Sequence, residues 1–300
     1  MKTLNIAVIG VPSDFGQNRR GVDMGPSALR YAGAIERLEN LGHHVEDLGD
    51  LHIDKKFHNQ IHPTLKNVDG VVDISKRLAG EVNAIVKKGM FPVVLGGDHS
   101  IAIGTLAGLA ENYENLGVIW YDAHADMNTE ETSPSGNIHG MPLAVAMGYG
   151  AKVLTAIQGD FPKVKPENVV LIGARSIDEG EKRFIREHGI QVYTMHDVDR
   201  LGMTAVMQEA IIHLEGQHVD GVHLSLDLDG IDPLYTPGVG TPVPGGLSYR
   251  ESHLAMEMLQ DSNLITSLEL VEVNPILDER NRTAEVAVTL LGSLMGEQLV

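Results

Sequence analysis

A parallel α/β sheet covered by helices is the fold class this sequence predicts, and three observations carry it. Short apolar runs alternate with amphipathic stretches along the whole chain. The apolar runs are nearly continuous Val, Ile and Leu rather than strictly alternating, as in strands buried on both faces. No internal repeat and no Pro/Ser-rich linker interrupts the alternation, so residues 1–300 are read as a single domain.

In chain order, the first strand is expected at 6–9, where the apolar run meets turn residues. Pro26-Ser27 opens a helix through "SALRYAGAIERLENLG", closed by Gly42. Helical spacing predicts helices over 68–88 and 100–115, with a strand at 92–95 between them. A strand at 118–121 follows, and 152–166 reads as a loop. Beyond it come strands at 169–172, 191–193, 222–226 and 266–271, with helices over 179–188, 204–215, 249–259 and 283–299. Residues 52–65 receive no functional reading.

The balance of 23 basic against 41 acidic residues gives a formal net charge of −18. Nucleic acid and anionic lipid both reward Lys and Arg, so neither is an expected partner. Such a surface suits a cationic small substrate only weakly, since acidic surfaces are common in soluble enzymes and solubility alone accounts for it. Cysteine is absent, which excludes disulfides and thiolate metal sites and leaves any metal to His, Asp or Glu. The apolar run at 6–11 is too short for a signal or membrane segment, so a cytoplasmic protein is expected.

Sites in open α/β sheets form beyond the carboxyl ends of the strands. Three strand ends here carry acids and imidazoles. "VIWYDAHADMN" places Asp122, His124 and Asp126 at i, i+2 and i+4, on one side of an extended segment. "VHLSLDLDG" ends in Asp227 and Asp229, and "FPVVLGGDHS" ends in Asp98 and His99 after a glycine pair. Each motif alone also fits a solvated strand end or a helix cap; their combination on one sheet is the argument. Four carboxylates in one cleft repel, so either several are protonated or cations are present. Two divalent ions balance four Asp, and two neutral His complete the set. A donor set rich in carboxylate and free of thiolate favours Mn²⁺ or a similar ion. A pair of such ions about 3.5–4 Å apart can share carboxylates and acidify one bridging water.

"GGDHS", "DAHAD", "SLDLDGIDP", "GTP" and "EVNP" resemble, in order and spacing, the ureohydrolases, a family that includes arginases and agmatinases. The resemblance runs over essentially the whole chain. It implies a three-layer α/β/α fold with a central, mostly parallel sheet, the arginase fold, and two Mn²⁺ per subunit. By position it implies one ion held by His99, Asp122, Asp126 and Asp227. The other is held by His124, Asp122, Asp227 and Asp229, with Asp122 and Asp227 shared. Asp98 is expected to support this site from behind, and Asp232 to be structural.

The loop "DMNTEETSPSGNIHG" resembles that of arginases, where Asn, Ser and Asn hold the α-carboxylate of arginine; these positions are Asn128, Ser135 and Asn137. Asp178 in "GARSIDEGE" matches the residue that meets the α-ammonium group, with Glu181 nearby, and Thr241 in "GVGTP" matches a cleft residue. His139 matches a proton-shuttling histidine and Glu272 the carboxylate that orients the guanidinium. The implied reaction is hydrolysis of L-arginine to L-ornithine and urea. A metal-bridging hydroxide attacks the guanidinium carbon, Asp126 carries the proton, and His139 relays protons to bulk water. A homo-oligomer, trimer or hexamer, is implied by family analogy. The rival readings are a ureohydrolase acting on agmatine, guanidinobutyrate or formiminoglutamate, a dinuclear metallophosphatase, and a non-catalytic relative. His43, His44, His58, His62, His213 and His218 are read as surface residues, and His223 and His253 are left unassigned.

Overall fold

The computed structural model describes residues 3–53 and 63–298. Among them are eight strands: β1 (Asn5–Gly10), β2 (His44–Asp50), β3 (Phe91–Leu95), β4 (Leu116–Tyr121), β5 (Val169–Ala174), β6 (Gln191–Thr194), β7 (Gly221–Asp227) and β8 (Ile265–Val271). They form one sheet in the order β2-β1-β3-β8-β7-β4-β5-β6, and every pairing is parallel. The order matters for function. It sets β3, β8, β7 and β4 side by side at the centre, so the chain leaving their carboxyl ends converges on one place.

Alternate side chains of each strand face opposite sides and build two cores. Ile6, Val8, Val93, Leu95, Ile119 and Tyr121 enter one. It is covered by α1 (Gly25–Tyr31), α2 (Ala34–Asn40), α8 (Met195–Leu201), α9 (Met203–Gly216), α10 (Tyr249–Ser262) and α11 (Arg282–Leu294). Ala7, Ile9, Val94, Val118 and Trp120 enter the other. That core is covered by α3 (Val68–Lys87), α4 (Ala102–Leu109), α5 (Pro142–Ala146) and α7 (Glu179–His188), while Leu154 of α6 (Lys152–Thr155) joins residues of α3, α4 and α5 in a third apolar cluster. The result is the three-layer α/β/α arrangement, with a sheet that is wholly parallel.

All seven expected strands are present. The eighth, β2, was not expected: its "HVEDLGD" is polar and largely exposed because it pairs only with β1 at the sheet edge. The single helix expected from Ser27 to Gly42 is two. The chain breaks at Gly33, whose φ of +90° lies in the left-handed region that glycine adopts without strain. The helix expected over 100–115 ends at Leu109; Asn112 and Asn115 turn their side chains onto backbone carbonyls of Gly108 and Gln217 instead of continuing it. The loop expected at 152–166 begins with the one-turn α6, and α5 and α8 are additional short helices. The last helix stops at Leu294, short of the expected 299.

His43, read as a surface residue, is buried. Its Nδ1 accepts from Leu4 N (3.2 Å) and its Nε2 bonds Met295 O (2.9 Å), tying the start of β1 to the end of α11. His44, His213 and His218 are at least partly exposed, and His58 and His62 lie outside the described residues. Among the described residues no helix is long and apolar enough to cross a membrane.

Candidate metal centre

Beyond the ends of β3, β4 and β7 the predicted ligands meet. His99 Nδ1 lies 3.2 Å from Asp122 Oδ2, 3.0 Å from Asp126 Oδ2 and 3.1 Å from Asp227 Oδ2. His124 Nδ1 lies 3.5 Å from Asp122 Oδ1 and 3.2 Å from Asp229 Oδ2. Two groups emerge whose donor atoms lie within 4.8 Å of one another: His99, Asp122 and Asp227, and Asp122, His124 and Asp229. Asp122 belongs to both, and Asp126 borders the first.

Asp122, His124 and Asp126 converge, but not by strand alternation. β4 ends at Tyr121 and the chain bends at once. Asp126 has a φ of +53°, and Glu272 one of +65°. Non-glycine residues held in that region carry strain, which recurs at functional sites. The turn is fixed by short side-chain bonds. Asp122 Oδ1 accepts from His124 N (2.7 Å), Asp122 Oδ2 from Trp120 Nε1 (3.0 Å), and Asp227 Oδ1 from Asp229 N (2.7 Å). The indole of Trp120 stacks on the His99 ring at 4.1 Å and 3°.

Behind β3, Asp98 accepts from Ser100 N and Gly16 N, and so ties the loop after β1 to the site. Glu272, at the end of β8, accepts from His99 N (2.9 Å) and Gln17 Nε2 (3.0 Å) and contacts His139 Nδ1 at 3.2 Å. Asp232 accepts from the backbone of Leu234, Gly245 and Gly246, a structural bond set away from the cluster.

The electrostatics call for cations. Burial, then the charges of Asp229 and Asp122, push the Asp227 carboxyl well up; Asp229 is raised by burial and Asp122. Burial and Asp122 raise Asp126 to about 6. Burial also acts on Asp122, but hydrogen bonds from His124 and His99 outweigh it and hold that carboxyl low. Burial alone lowers an imidazole's pKa; here the carboxylates win, raising His99 well above its ordinary range and His124 to about 12. The carboxylates thus favour positive charge at this site. His99 Nδ1 is also a fully buried atom with no hydrogen-bond partner, facing three carboxylates. An N/O donor set of this kind, without thiolate, fits two divalent metal ions.

A cavity of about 180 Å³ opens onto this cluster, lined by His99, His124, Asp126, Asp227 and Asp229 at its base. Asn128, Ser135, Asn137, His139, Asp178, Glu181 and Thr241 line the same cavity. Every predicted substrate residue is therefore beside the predicted ligands. Asn128 Nδ2 donates to Asp178 Oδ2 (2.8 Å), which links two sequence-distant loops. Asp178 caps α7, and Glu181 completes the capping box and accepts from Met127 N. Burial and Asp126 push Glu181 up to about 7. Thr241 Oγ1 donates to Asp229 Oδ2 (2.8 Å). Glu272, by contrast, lies behind His139 and does not line the cavity.

Sequence reasoning missed Ser176, which lines the cavity, and Gln17, which holds Glu272. It also missed Ser225, bonded to His99 Nε2 at 2.7 Å. Gln17 carries no signal in its flanks. Ser225 does: in "VHLSLDLD", the residues between the leucines are all polar.

The sequence pattern of the Arginase family matches residues 4–296. The chain belongs to the arginase family. The family is one of hydrolases, and the chain is an enzyme of that class. The chain is 66% identical over 297 residues to the arginase of Bacillus caldovelox, covering 98% of this chain and 99% of that one. The solved native structure of the Bacillus caldovelox arginase matches with a TM-score of 0.96 over 99% of this chain and 100% of that one. An arginase of Entamoeba histolytica in complex with L-ornithine, 35% identical, matches with a TM-score of 0.90 over 99% and 100% of the two chains. These matches extend the family's fold over the whole sheet and all three strand ends.

Proposed function

We propose that this chain is a manganese-dependent arginase that hydrolyses L-arginine to L-ornithine and urea. One observation carries the reading. A single cavity joins the His/Asp cluster to Asn128, Ser135, Asn137 and Asp178, which suit a carboxylate and an ammonium at the far end of the substrate. The arginase relatives, one of them holding L-ornithine, support it.

His99, Asp122, Asp126 and Asp227 are assigned to one Mn²⁺, and His124, Asp122, Asp227 and Asp229 to the other. Bound there, the ions supply a water acidic enough to act as nucleophile near neutral pH. The chain's residues do the rest. Asn128, Ser135 and Asn137 hold the α-carboxylate, Asp178 takes the α-ammonium with Glu181 behind it, and Thr241 borders the cleft. The substrate's two ends are thereby fixed, and its guanidinium carbon lies over the cluster. Glu272 is assigned to orient the guanidinium; in the metal-free protein its Oε1 is held by His99 N and His139 Nδ1 and its Oε2 by Gln17 Nε2. Asp126 takes up the proton released by the attacking water and returns it to the leaving amine. Burial lowers the His139 imidazole, but the hydrogen bond and charge of Glu272 outweigh it and raise it to about 9. In the metal-free protein these neighbours favour the protonated ring, and His139 is assigned to give a proton and recover one from bulk water. A cytoplasmic homo-oligomer, trimer or hexamer, is proposed on family analogy alone.

Metal removal tests this reading. Protein stripped with a chelator should release no urea from L-arginine and should recover on adding Mn²⁺. Undiminished hydrolysis in the stripped protein would refute it.

A further inference from the structure

A polar seam runs through the sheet behind the metal centre. On β7, His223, Ser225 and Asp227 share one face; on β8, Ser267 and Glu269 stand opposite His223 and Ser225 in the parallel register. His223, Ser225, Ser267 and Glu269 are all fully buried. Ser225 Oγ donates to Glu269 Oε1 (2.7 Å) and lies 2.7 Å from His99 Nε2. Thr105 Oγ1 of α4 donates to Glu269 Oε2 (2.7 Å). His223 Nδ1 bonds Ser267 Oγ (2.9 Å), and His223 Nε2 stands 3.4 Å from Glu269 Oε1.

Burying a carboxylate, an imidazole and three hydroxyls there is costly, and apolar side chains of similar volume commonly give equal or greater stability. The seam has a direction that apolar side chains lack. A carboxylate only accepts hydrogen bonds, and a serine hydroxyl has one proton. Glu269 claims that proton, so Ser225 can only accept from His99. In the neutral ring Nε2 of His99 must then carry the hydrogen, so that when Nδ1 gives up its proton it presents a lone pair toward Asp122, Asp126 and Asp227. We propose that Glu269, acting through Ser225, is a positioning residue that fixes His99 in the tautomer whose Nδ1 binds metal. Burial pushes the Glu269 carboxyl up, but the charge and hydrogen bond of His223, the charge of His99 and the hydroxyl of Ser225 outweigh it and hold it below the usual range.

The inference rests on the metal-centre reading, and the test separates the two. Metal-free protein is titrated with Mn²⁺ against a chromophoric chelator to obtain two dissociation constants. Glu269→Gln keeps the shape but adds an N–H donor toward Ser225, and Ser225→Ala removes the link. Each should weaken one ion by about tenfold or more and leave the other within about twofold. Thr105→Val touches only the far oxygen of Glu269; it should lower the melting temperature and leave both constants unchanged. In Zn²⁺-loaded protein labelled with ¹⁵N-histidine, His99 should show a protonated Nε2 in the wild type and lose that single pattern in Glu269→Gln. If Glu269→Gln or Ser225→Ala binds both ions as the wild type does, or if both ions weaken equally with the fall in melting temperature, the positioning role is refuted. A wild type that takes up no pair of ions overturns the metal-centre reading and this inference together.

Discussion

At the scale of single residues, His139 and Asp178 separate proton transfer from substrate recognition. His139→Asn removes the imidazolium beside Glu272 but none of the proposed ligands. It should retain two metal ions per subunit by elemental analysis while kcat falls about a hundredfold. The same residue gives a pH signature. Its pKa is raised in the folded state, so its pairing with Glu272 stabilises the metal-free fold fully below about 6.5. That contribution is lost as pH rises through about 9. Urea denaturation of metal-free wild type and His139→Asn should give stabilities that differ at pH 6 and converge by pH 10; a constant difference would remove the pairing from the account. Asp178→Ala deletes a charged partner, so kcat/KM for L-arginine should fall about ten- to a hundredfold. 5-Guanidinopentanoate, which has the carboxylate but no ammonium, should be affected far less. Equal losses on the two compounds would reduce Asp178 to a helix cap.

The residues legible in sequence were those with short polar spacing after an apolar run. Asp122, His124, Asp126, Asp227, Asp229 and His99 stood out because nothing in a buried strand end calls for them. Gln17 and Ser176 did not, since each reaches the site through a loop whose path the local sequence leaves open.

At the scale of elements, the site depends on how closely strand ends approach neighbouring loops. Gly97, two residues after β3, has no room for a side chain: a Cβ there would lie 1.9 Å from Ser13 O and 2.7 Å from Ser13 N. Both are backbone atoms, so the loop after β1 must move, and the bond from Asp98 N to Ser13 O (2.9 Å) must break. Gly97→Ala should destabilise the protein by about 1–3 kcal/mol in a thermal melt and weaken Mn²⁺ binding. An unchanged melting temperature would mean that the loop yields freely. Strands buried on both faces were readable because their composition is uniformly apolar. β2 was not, because an exposed edge strand has no hydrophobic pattern to read. The break between α1 and α2 rests on one glycine within an otherwise continuous helical pattern, and the convergence after β4 rests on the left-handed Asp126, which residue spacing cannot reveal.

At the scale of the whole molecule, parallel strand–helix alternation, the central position of β3, β8, β7 and β4, and the charge of the cluster lead to one account. Alternation was legible; strand order was not, because it depends on long-range packing. The metal-free cluster keeps protons on His99 and His124 and raises Asp126 to about 6. Metal entry must displace protons, so Mn²⁺ affinity should increase with pH. Calorimetric titration in two buffers of different ionisation enthalpy should record proton release, and the gain in melting temperature from Mn²⁺ should shrink as pH falls below about 6. Binding without proton release would contradict this charge balance.

The most direct test of the central claim is urea release by metal-stripped protein reloaded with Mn²⁺, with L-arginine and agmatine assayed side by side. The account predicts rapid release from L-arginine and little from agmatine, which lacks the carboxylate assigned to Asn128, Ser135 and Asn137. A preference for agmatine would contradict the substrate assignment while keeping the metal chemistry, and no urea from either compound would contradict the proposed reaction.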